Sequence, residues 1–529
     1  FLFNQTYLYT RYDWKKKTRV YPIPKIIEWQ GQDNFKNFFV NKQFKFIREY
    51  LDNYSEFEFE DYENMFVEDT DKFFVEHDDK KILAWDTETN NLNCFVDDFK
   101  CGCMTISFDG KKGYYLPFDK IDKRQLNSFL SDKESIGANI KYDVKTLNRF
   151  GINRINMSED VITLYHLLNT NRRSNSLKSL AWLIGFGGYD TELDEYLSNY
   201  RVDNYLQIPE SILFKYATID AIVTYRLYEH AKKKLVPKQS SVYKVYKEYV
   251  MPVIPVFLEM ENNGMIIDKN YLQEFHDDLS KQIKEIEIEI KKELNQEFEV
   301  SSNEQLGKAL EKYGLPDLGR TKKGHYKTGD EILQQWIISG FSVVEKISRY
   351  RALSKLDESF VGNAEEKNGM WQHIMSDEKA HPNYGVAMTK SYRSVCSSPN
   401  FQQMPKHGDL AKKFRKIFKC PEDYYIGEAD FSGFQLRIAC IYSQDKVMED
   451  VFLNRGGDLH SSSAQSIFCR DISLDEFLKV KNIEPYKMLR HKAKNQINFP
   501  LLFSSSPYVI YGTIQTEWTE EERQNYIKE

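Results

Sequence analysis

The sequence lacks a disulfide framework and a membrane-length apolar run. Its seven cysteines are an odd number without framework spacing. Cys94, Cys101 and Cys103 cluster, but no second pair of Cys or His residues could close a zinc site, so we expect reduced thiols. The longest apolar run, around Val250 to Met260, contains two prolines and is too short to span a bilayer. No membrane partner is therefore expected.

The chain also lacks an initiator methionine, a signal peptide and an excess of positive charge. It starts at Phe1, which predicts a trimmed or incomplete start, and the missing leader predicts a cytoplasmic location. The net charge of −6 gives no bulk argument for nucleic acid, so DNA would need a local basic face such as His407–Lys419. The richness in Lys, Asn, Tyr and Phe suggests an AT-rich coding sequence, which favours a phage or parasite origin.

Paired carboxylates stand out in the first half of the chain. Asp86 and Glu88 lie two residues apart in a hydrophobic run that predicts a strand, so both point to one face and can offer oxygen ligands to a divalent cation. Tyr216 and Asp220 are four residues apart and share a face of a predicted helix. Between these patterns lies Asn-Ile-Lys-Tyr-Asp, which ends at Asp143.

In this order and spacing the three patterns resemble the three motifs of the DnaQ-like 3′–5′ exonucleases. Asp160 and the Ser-Leu-Lys-Ser-Leu-Ala segment at 176–181 also fit the members that are linked to polymerases. The resemblance implies an RNase H-like α/β domain with an active proofreading site and two Mg²⁺ ions, with Mn²⁺ as an alternative. It implies these roles: Asp86, Glu88 and Asp220 bind the metals directly, Asp143 assists the second metal, and Tyr216 orients the attacking water.

An aromatic and apolar run leads into Asp430, and an amphipathic run follows Phe-Ser-Gly. This predicts a strand that ends at Asp430 and a helix that begins just after it, which is a natural platform for metal and phosphate. The stretch resembles motif A of the family A DNA polymerases. That resemblance implies that Asp430 and the backbone carbonyl of Phe431 bind two Mg²⁺ ions. Gln435 replaces the family's glutamate beside the nucleotide sugar, so it keeps the shape and loses the charge.

Two further blocks resemble this family. Asp-Leu-His at 458–460 is similar to its Asp-Ile-His, which implies that His460 lies near the triphosphate. The block from Thr389 to Pro405 is similar to a primer–template contact block, with Tyr392 in place of a glycine. It implies three DNA-binding residues: Arg393, Asn400 and Gln403.

The segment from 490 to 503 resembles motif B, the helix of the fingers. Arg490 and Lys494 are four residues apart, so both can face a triphosphate. Phe499 follows Lys494 by five residues where the family has four, and on a regular helix this would rotate the ring by about 100°. A proline comes next. We therefore predict a π-bulge at Asn495–Pro500 that restores the facing of the ring.

Two features leave alternatives open. A competing alignment places His491 and Asn495 at the cationic positions, which would weaken the nucleotide site. The family also needs a second catalytic carboxylate, in a His-Asp-Glu block well after motif B, whereas this sequence ends at Glu529. The two similar triplets, at His77 and His276, fall in the wrong order. We therefore expect a polymerase without its C-terminal palm.

Together these patterns predict a multidomain α/β and α+β chain, with the exonuclease domain followed by an incomplete right-hand polymerase. The expected function is that of a phage-type DNA-directed DNA polymerase that extends a primer with dNTPs and proofreads during replication. Its partners would be primer–template DNA, dNTPs and unidentified replisome proteins, in the host bacterial cytoplasm if phage-encoded. The alternatives are an exonuclease with a degenerate or incomplete polymerase body, or a non-catalytic DNA-binding replication protein. The expected domains are an extension of unknown role at 1–75, the exonuclease at 76–235, the thumb and start of the polymerase at 236–385, and the truncated palm and fingers at 386–529.

Overall fold

The computed structural model describes most of the chain between residues 61 and 503. The described ranges are 61–171, 174–202, 204–386, 388–406, 408–454 and 456–503, with the backbone of two antiparallel strands near the start, β1 (Arg11–Asp13) and β2 (Thr18–Val20). Most of the predicted extension at 1–75 lies outside these ranges. The chain divides into two compact units, 1–424 and 425–529, and each is described by itself.

A mixed six-stranded sheet with helices on both faces forms the first half of the larger unit. Its strands are β3 (Glu63–Phe66), β4 (Ile82–Thr89), β5 (Cys101–Ser107), β6 (Lys112–Pro117), β7 (Glu134–Gly137) and β8 (Asn156–Asp160), in the order β3-β6-β5-β4-β7-β8. Strand β5 runs antiparallel to both β4 and β6, and the other neighbours are parallel. The helices are α1 (Thr70–Glu76), α2 (Lys123–Leu130), α3 (Ile140–Asn148), α4 (Val161–Leu168), α5 (Leu177–Ala181), α6 (Thr191–Tyr200) and α7 (Glu210–His230).

Strand β4 lies inside this sheet, and its alternating side chains define two faces. Leu83 and Trp85 are fully buried in one hydrophobic cluster, whereas Ala84 belongs to the cluster on the other face, which includes residues of α7. Because side chains alternate along a strand, Asp86 and Glu88 share the Ala84 face. The strand prediction is therefore confirmed, and its two carboxylates face α7.

Helices dominate the second half of the larger unit. They are α8 (Ser240–Val245), α9 (Val253–Asn263), α10 (Lys269–Leu294), α11 (Asn303–Tyr313), α12 (Asp330–Ile338) and α13 (Ser342–Leu356). The longest of these helices is α10, which buries apolar side chains at helical spacing from Leu272 to Leu294. Gly264 ends α9 at a φ of 61°, and a Cβ there would come within 2.7 Å of the His381 ring.

Short strands complete this unit. They are β9 (Met265–Ile267), β10 (Lys379–Ala380), β11 (Asn383–Gly385), β12 (Val395–Ser397) and β13 (Phe418–Lys419), with the short helix α14 (Asp409–Phe414) before the last of them. Strand β9 lies between β10 and β13. Strands β11 and β12 pair as an antiparallel hairpin, with Tyr384 opposite Cys396.

The smaller unit is helical in its described part. Its helices are α15 (Phe434–Ser443), α16 (Lys446–Asn454), α17 (Leu459–Phe468), α18 (Leu474–Val480), α19 (Tyr486–Lys492) and α20 (Phe499–Leu502), with a π-helix at Ala493–Asn498. The helix expected after Asp430 is α15. The strand expected before Asp430 is wrong, since residues 424–430 are not in a strand and Tyr425 is 96% exposed. A strand needs a neighbour for its backbone hydrogen bonds, and no described strand of this unit pairs with the segment.

Of the helices in the described ranges, none combines the length and the apolar character that crossing a bilayer requires.

Candidate active sites

Three carboxylates from two elements meet on one face of the sheet. Asp86 and Glu88 lie on β4 and Asp220 lies on α7, and one oxygen of each is within 4.8 Å of the other two. Glu88 and Asp220 are buried, and Asp86 is half-buried. Three carboxylates at this spacing are typical of a site for divalent cations, because hard cations prefer oxygen ligands. Within the described ranges, this is the only such group of three or more potential ligands.

Asp143 lies on α3, which packs against the face of the sheet that carries Leu83 and Trp85. Its Oδ1 accepts hydrogen bonds from the backbone N–H of Thr87 at 3.1 Å and from the Thr87 hydroxyl at 2.6 Å. Thr87 lies between the two acidic residues of the strand, so these bonds tie the fourth carboxylate to the strand. All four predicted acidic residues of the exonuclease site line one cleft.

Burial raises the pKa of every carboxyl group in the cluster. Burial raises the pKa of Asp143 and of Asp220 to about 7. Burial, then repulsion by the neighbouring carboxylates, raises the pKa of Asp86 and of Glu88 well above the usual range. Without cations the site therefore retains protons near neutral pH. Bound cations would displace those protons and compensate the negative charge, so this set of residues fits divalent cations.

Aromatic side chains and one lysine surround Asp220. The hydroxyl of Tyr189 donates a hydrogen bond to Asp220 Oδ1, and the rings of Tyr189 and Tyr216 stack with centroids 5.8 Å apart. Lys178 Nζ lies 5.2 Å from the centroid of the Tyr216 ring and 3.5 Å from Asp190. Sequence reasoning missed Tyr189, which no motif spacing marks. It noted the segment that contains Lys178 but not the lysine itself.

Asp160 supports the site without joining the cluster. Its carboxylate accepts hydrogen bonds from Thr163 N at 2.9 Å and from Ile140 N at 3.0 Å, so it caps α4 and holds the start of α3.

In the smaller unit, predicted nucleotide-binding residues also converge. The Lys494 ammonium lies 5.7 Å from the centroid of the Phe499 ring, and that ring meets His460 edge-on at 5.6 Å. The π-helix at Ala493–Asn498 carries the extra residue, so a π-bulge before Phe499 is confirmed, although it begins two residues before the predicted segment Asn495–Pro500. The ring of Phe499 therefore stays beside the cation despite the five-residue spacing.

Arg490 joins this group through Asp458. Its guanidinium donates to both carboxylate oxygens of Asp458, at 3.1 and 3.2 Å, and Lys481 Nζ lies 2.9 Å from the same carboxylate. These bonds outweigh the effect of burial and hold the pKa of Asp458 well below its usual range. Burial and the positive charges of Arg490 and Lys494 lower the pKa of His460 to about 4. The imidazole is therefore neutral at pH 7.

The competing alignment of this helix has a different environment. Asn495 Nδ2 lies 2.8 Å from a ring nitrogen of His491, on an exposed part of the helix. In the part of the helix that the structure describes, neither residue hydrogen-bonds to His460 or stacks against Phe499.

The motif A residues lie on the surface of the smaller unit. Asp430, Phe431 and Gln435 are all exposed, and Phe431 is 78% exposed. Among the described residues, no group of three potential metal ligands includes Asp430.

The predicted DNA-binding residues of the larger unit are accessible. Arg393 and Gln403 are exposed, and Asn400 is half-buried with its side chain accepting from Gln402 N at 3.1 Å. Tyr392, which replaces the family's glycine, has a φ of 57°. This left-handed backbone favours glycine, so the departure in sequence falls at a position where a side chain is strained.

Two family models match this chain. Residues 67–236 match the model described as 3'-5' exonuclease, and residues 269–529 match the model described as DNA polymerase family A. The chain therefore carries a domain that matches the 3′–5′ exonucleases, followed by a domain that matches the family A DNA polymerases. The acidic cluster on β4 and α7 belongs to the exonuclease domain, and Asp430 and motif B belong to the polymerase domain.

The chain is also similar to curated DNA polymerases. The chain is 28% identical over 467 residues to DNA polymerase I of Borreliella burgdorferi, covering 84% of this chain and 47% of that protein. It is 27% identical over 473 residues to DNA polymerase I of Pseudomonas aeruginosa, covering 84% of this chain and 48% of that protein. The chain thus spans about half the length of these curated relatives.

A solved structure shares the fold. It is the POL domain of Pol1 from M. smegmatis in complex with DNA primer-template and dNTP, with a TM-score of 0.66 and 19% identity. The match covers 86% of this chain and 74% of that chain. The expected arrangement of an exonuclease domain before a mixed polymerase domain is confirmed.

Proposed function

We propose that this chain is a DNA-directed DNA polymerase with 3′–5′ proofreading exonuclease activity in DNA replication. The observation that carries the proposal is the convergence of Asp86, Glu88 and Asp220 within 4.8 Å in a domain that matches 3′–5′ exonucleases. The proposed substrates are primer–template DNA and dNTPs.

In the exonuclease site, Asp86, Glu88 and Asp220 would hold two divalent cations and Asp143 would assist the second. Such cations stabilise the attacking and leaving oxygens of an in-line displacement at phosphorus. Tyr216 would orient the attacking water, and Tyr189 would fix the carboxylate of Asp220 through the hydrogen bond that it donates.

In the polymerase site, the cationic side chains of motif B would receive the triphosphate of a dNTP. Arg490 and Lys494 supply positive charge, and Phe499 supplies an aromatic face beside it. His460 is neutral at pH 7 and can donate a hydrogen bond without adding charge. The remaining proposed roles are metal binding by Asp430 and the Phe431 carbonyl, sugar contact by Gln435, and primer–template contact by Arg393, Asn400 and Gln403.

Excision of a mismatched 3′ end tests the first activity. The purified chain should remove the terminal nucleotide in the presence of Mg²⁺, and Asp86→Ala should lower the rate by at least a hundredfold, because a metal ligand is lost. The control is Asp132→Asn, which removes an exposed carboxylate paired with Lys81 and should retain the wild-type rate. Equal excision by wild type and Asp86→Ala would refute the assignment.

Primer extension tests the second activity and separates it from the alternative function. The alternative, an exonuclease with an incomplete polymerase body, is favoured by the exposed Asp430, which joins no described group of acidic ligands. Extension of a matched primer by the 529-residue chain, lost in Arg490→Ala, would support the polymerase. Excision without extension would support the alternative. Phage origin and cytoplasmic location stay predictions, and the relatives named above are bacterial.

A further inference from the structure

The exonuclease cleft has a wall that the polymerase domain contributes. The cleft above the acidic cluster has a volume of about 910 Å³. Residues of β4, α3 and α7 line one side. The β11–β12 hairpin and its connecting turn line another, through side chains that include Tyr384, Val386, Met388 and Lys390. These residues come about 160 positions after Asp220 in the sequence and lie inside the range that matches family A polymerases.

The hairpin is fastened to the exonuclease domain at both ends of this wall. Near its turn, His166 Nε2 on α4 lies 3.1 Å from the backbone carbonyl oxygen of Thr389. At its first strand, Lys141 Nζ on α3 donates to Asn383 Oδ1 at 2.9 Å. The wall is therefore held in place by two helices that also build the exonuclease domain.

Glu261 connects the same elements from inside the protein. It lies on α9, between the two ranges that match family models, and it is fully buried. Its carboxylate pairs with Lys141 and lies 3.0 Å from Lys145 Nζ, both on α3, and it accepts a hydrogen bond from Tyr384 N at 2.6 Å. One buried anion thus sets the hairpin against the helix that carries Asp143.

A strand entering this cleft needs positive charge that the cleft floor does not supply. Five carboxyl groups line the cleft, those of Asp86, Glu88, Asp143, Asp160 and Asp220, and their negative charge repels the phosphates of DNA. Lys141 also lines the cleft, but it is buried and paired with Glu261. Lys390 is exposed, lines the cleft, and forms no ion pair or hydrogen bond with another residue of the described ranges.

We propose that Lys390 binds a backbone phosphate of the single-stranded DNA end that is being trimmed, and that Glu261 is a positioning residue for the hairpin that carries it. The exonuclease site is therefore completed by a segment of the polymerase domain. This inference rests on the proposed exonuclease function.

Excision kinetics on a single-stranded oligonucleotide, measured over a range of salt concentrations, test the role of Lys390. Lys390→Gln should raise KM about fivefold, as expected for one exposed charge contact, with kcat within about twofold of wild type. The slope of log kcat/KM against log salt should become shallower by about 0.7, because one phosphate contact is lost. Lys390→Arg should restore both values. The control is Lys80→Gln, which removes an exposed lysine that does not line the cleft.

Failure of the proposed function and failure of this inference give different results. If wild type excises nothing with Mg²⁺ or Mn²⁺, the proposed function fails and this inference fails with it. If wild type excises and Lys390→Gln keeps its KM and salt slope, the inference alone is overturned.

The positioning role of Glu261 has its own test. Glu261→Gln, or Asn383→Ala if the first variant does not fold, should raise KM and make the salt slope shallower even though Lys390 is intact. Combining either change with Lys390→Gln should add little, because both act through one phosphate contact. A folded variant with lower kcat and an unchanged salt slope would show a merely structural role and overturn this part.

Discussion

Replacing Asp220 by asparagine should stabilise the metal-free protein at alkaline pH while abolishing excision. Burial raises the pKa of Asp220 from 3.8 to about 7, so the folded state resists ionisation of this group. A rise of that size corresponds to a loss of about 4 kcal/mol of folding stability when Asp220 is fully ionised. Because the neighbouring carboxyl groups take up protons as the charge builds, we expect about half of this, about 2 kcal/mol. Asparagine has the same shape, and its Oδ1 can still accept from Tyr189.

The sign of the pH dependence follows from the raised pKa. Wild type has its full stability below pH 3.8, where Asp220 is protonated in both states, and loses stability as pH rises through about 7. The advantage of Asp220→Asn should therefore be complete near pH 8. It should shrink to about a third by pH 5, where the folded wild type is already neutral at this position.

Thermal unfolding after treatment with EDTA measures this effect. For a domain the size of the exonuclease, 2 kcal/mol corresponds to a rise in Tm of about 4–8 °C at pH 8. Trp85, buried on β4, provides a fluorescence signal inside this domain. The matched control is Asp132→Asn, since the hydrogen bond from Lys81 lowers the pKa of this exposed carboxyl group instead of raising it. It should not raise Tm at either pH value. A Tm of Asp220→Asn at or below that of wild type at pH 8 would refute the reasoning.

Three further outcomes are expected. Calorimetric Mn²⁺ affinity of the exonuclease site should fall about a hundredfold from pH 8 to pH 6, because Asp143 and Asp220 each take up a proton with a pKa of about 7; an unchanged affinity would contradict the raised pKa values. Glu261→Gln should lower the free energy of unfolding by about 3 kcal/mol, because it leaves the buried Lys141 and Lys145 without their anion. An unchanged free energy of unfolding in a denaturant titration would show that water hydrates these lysines instead. Deleting Asn495 should turn the π-helix into a regular helix and leave the Phe499 ring on the same side as Lys494. The Kd for a dNTP should therefore stay within about tenfold of the wild-type value. Loss of nucleotide binding in that variant, measured by fluorescence titration, would show that the π-helix itself shapes the site.

Much of the exonuclease site could be predicted from local patterns. The two-residue spacing of Asp86 and Glu88 fixes a common face on any strand, and the four-residue spacing of Tyr216 and Asp220 fixes a common face on any helix. The extra residue before Phe499 likewise required a local adjustment, which the structure provides as a π-helix. These features depend on backbone periodicity alone, so a single sequence contains them.

Contacts between distant segments could not be predicted in this way. The strand expected before Asp430 depended on a neighbour for hydrogen bonds, and the apolar run could not show whether one is present. Tyr189 reaches Asp220 only through the packing of the elements that carry them. Nothing in the sequence pattern distinguishes Glu261, and only the folded chain shows it buried against α3 and the β11–β12 hairpin. Burial and long-range pairing arise when separate elements pack together, and no spacing within one segment specifies them.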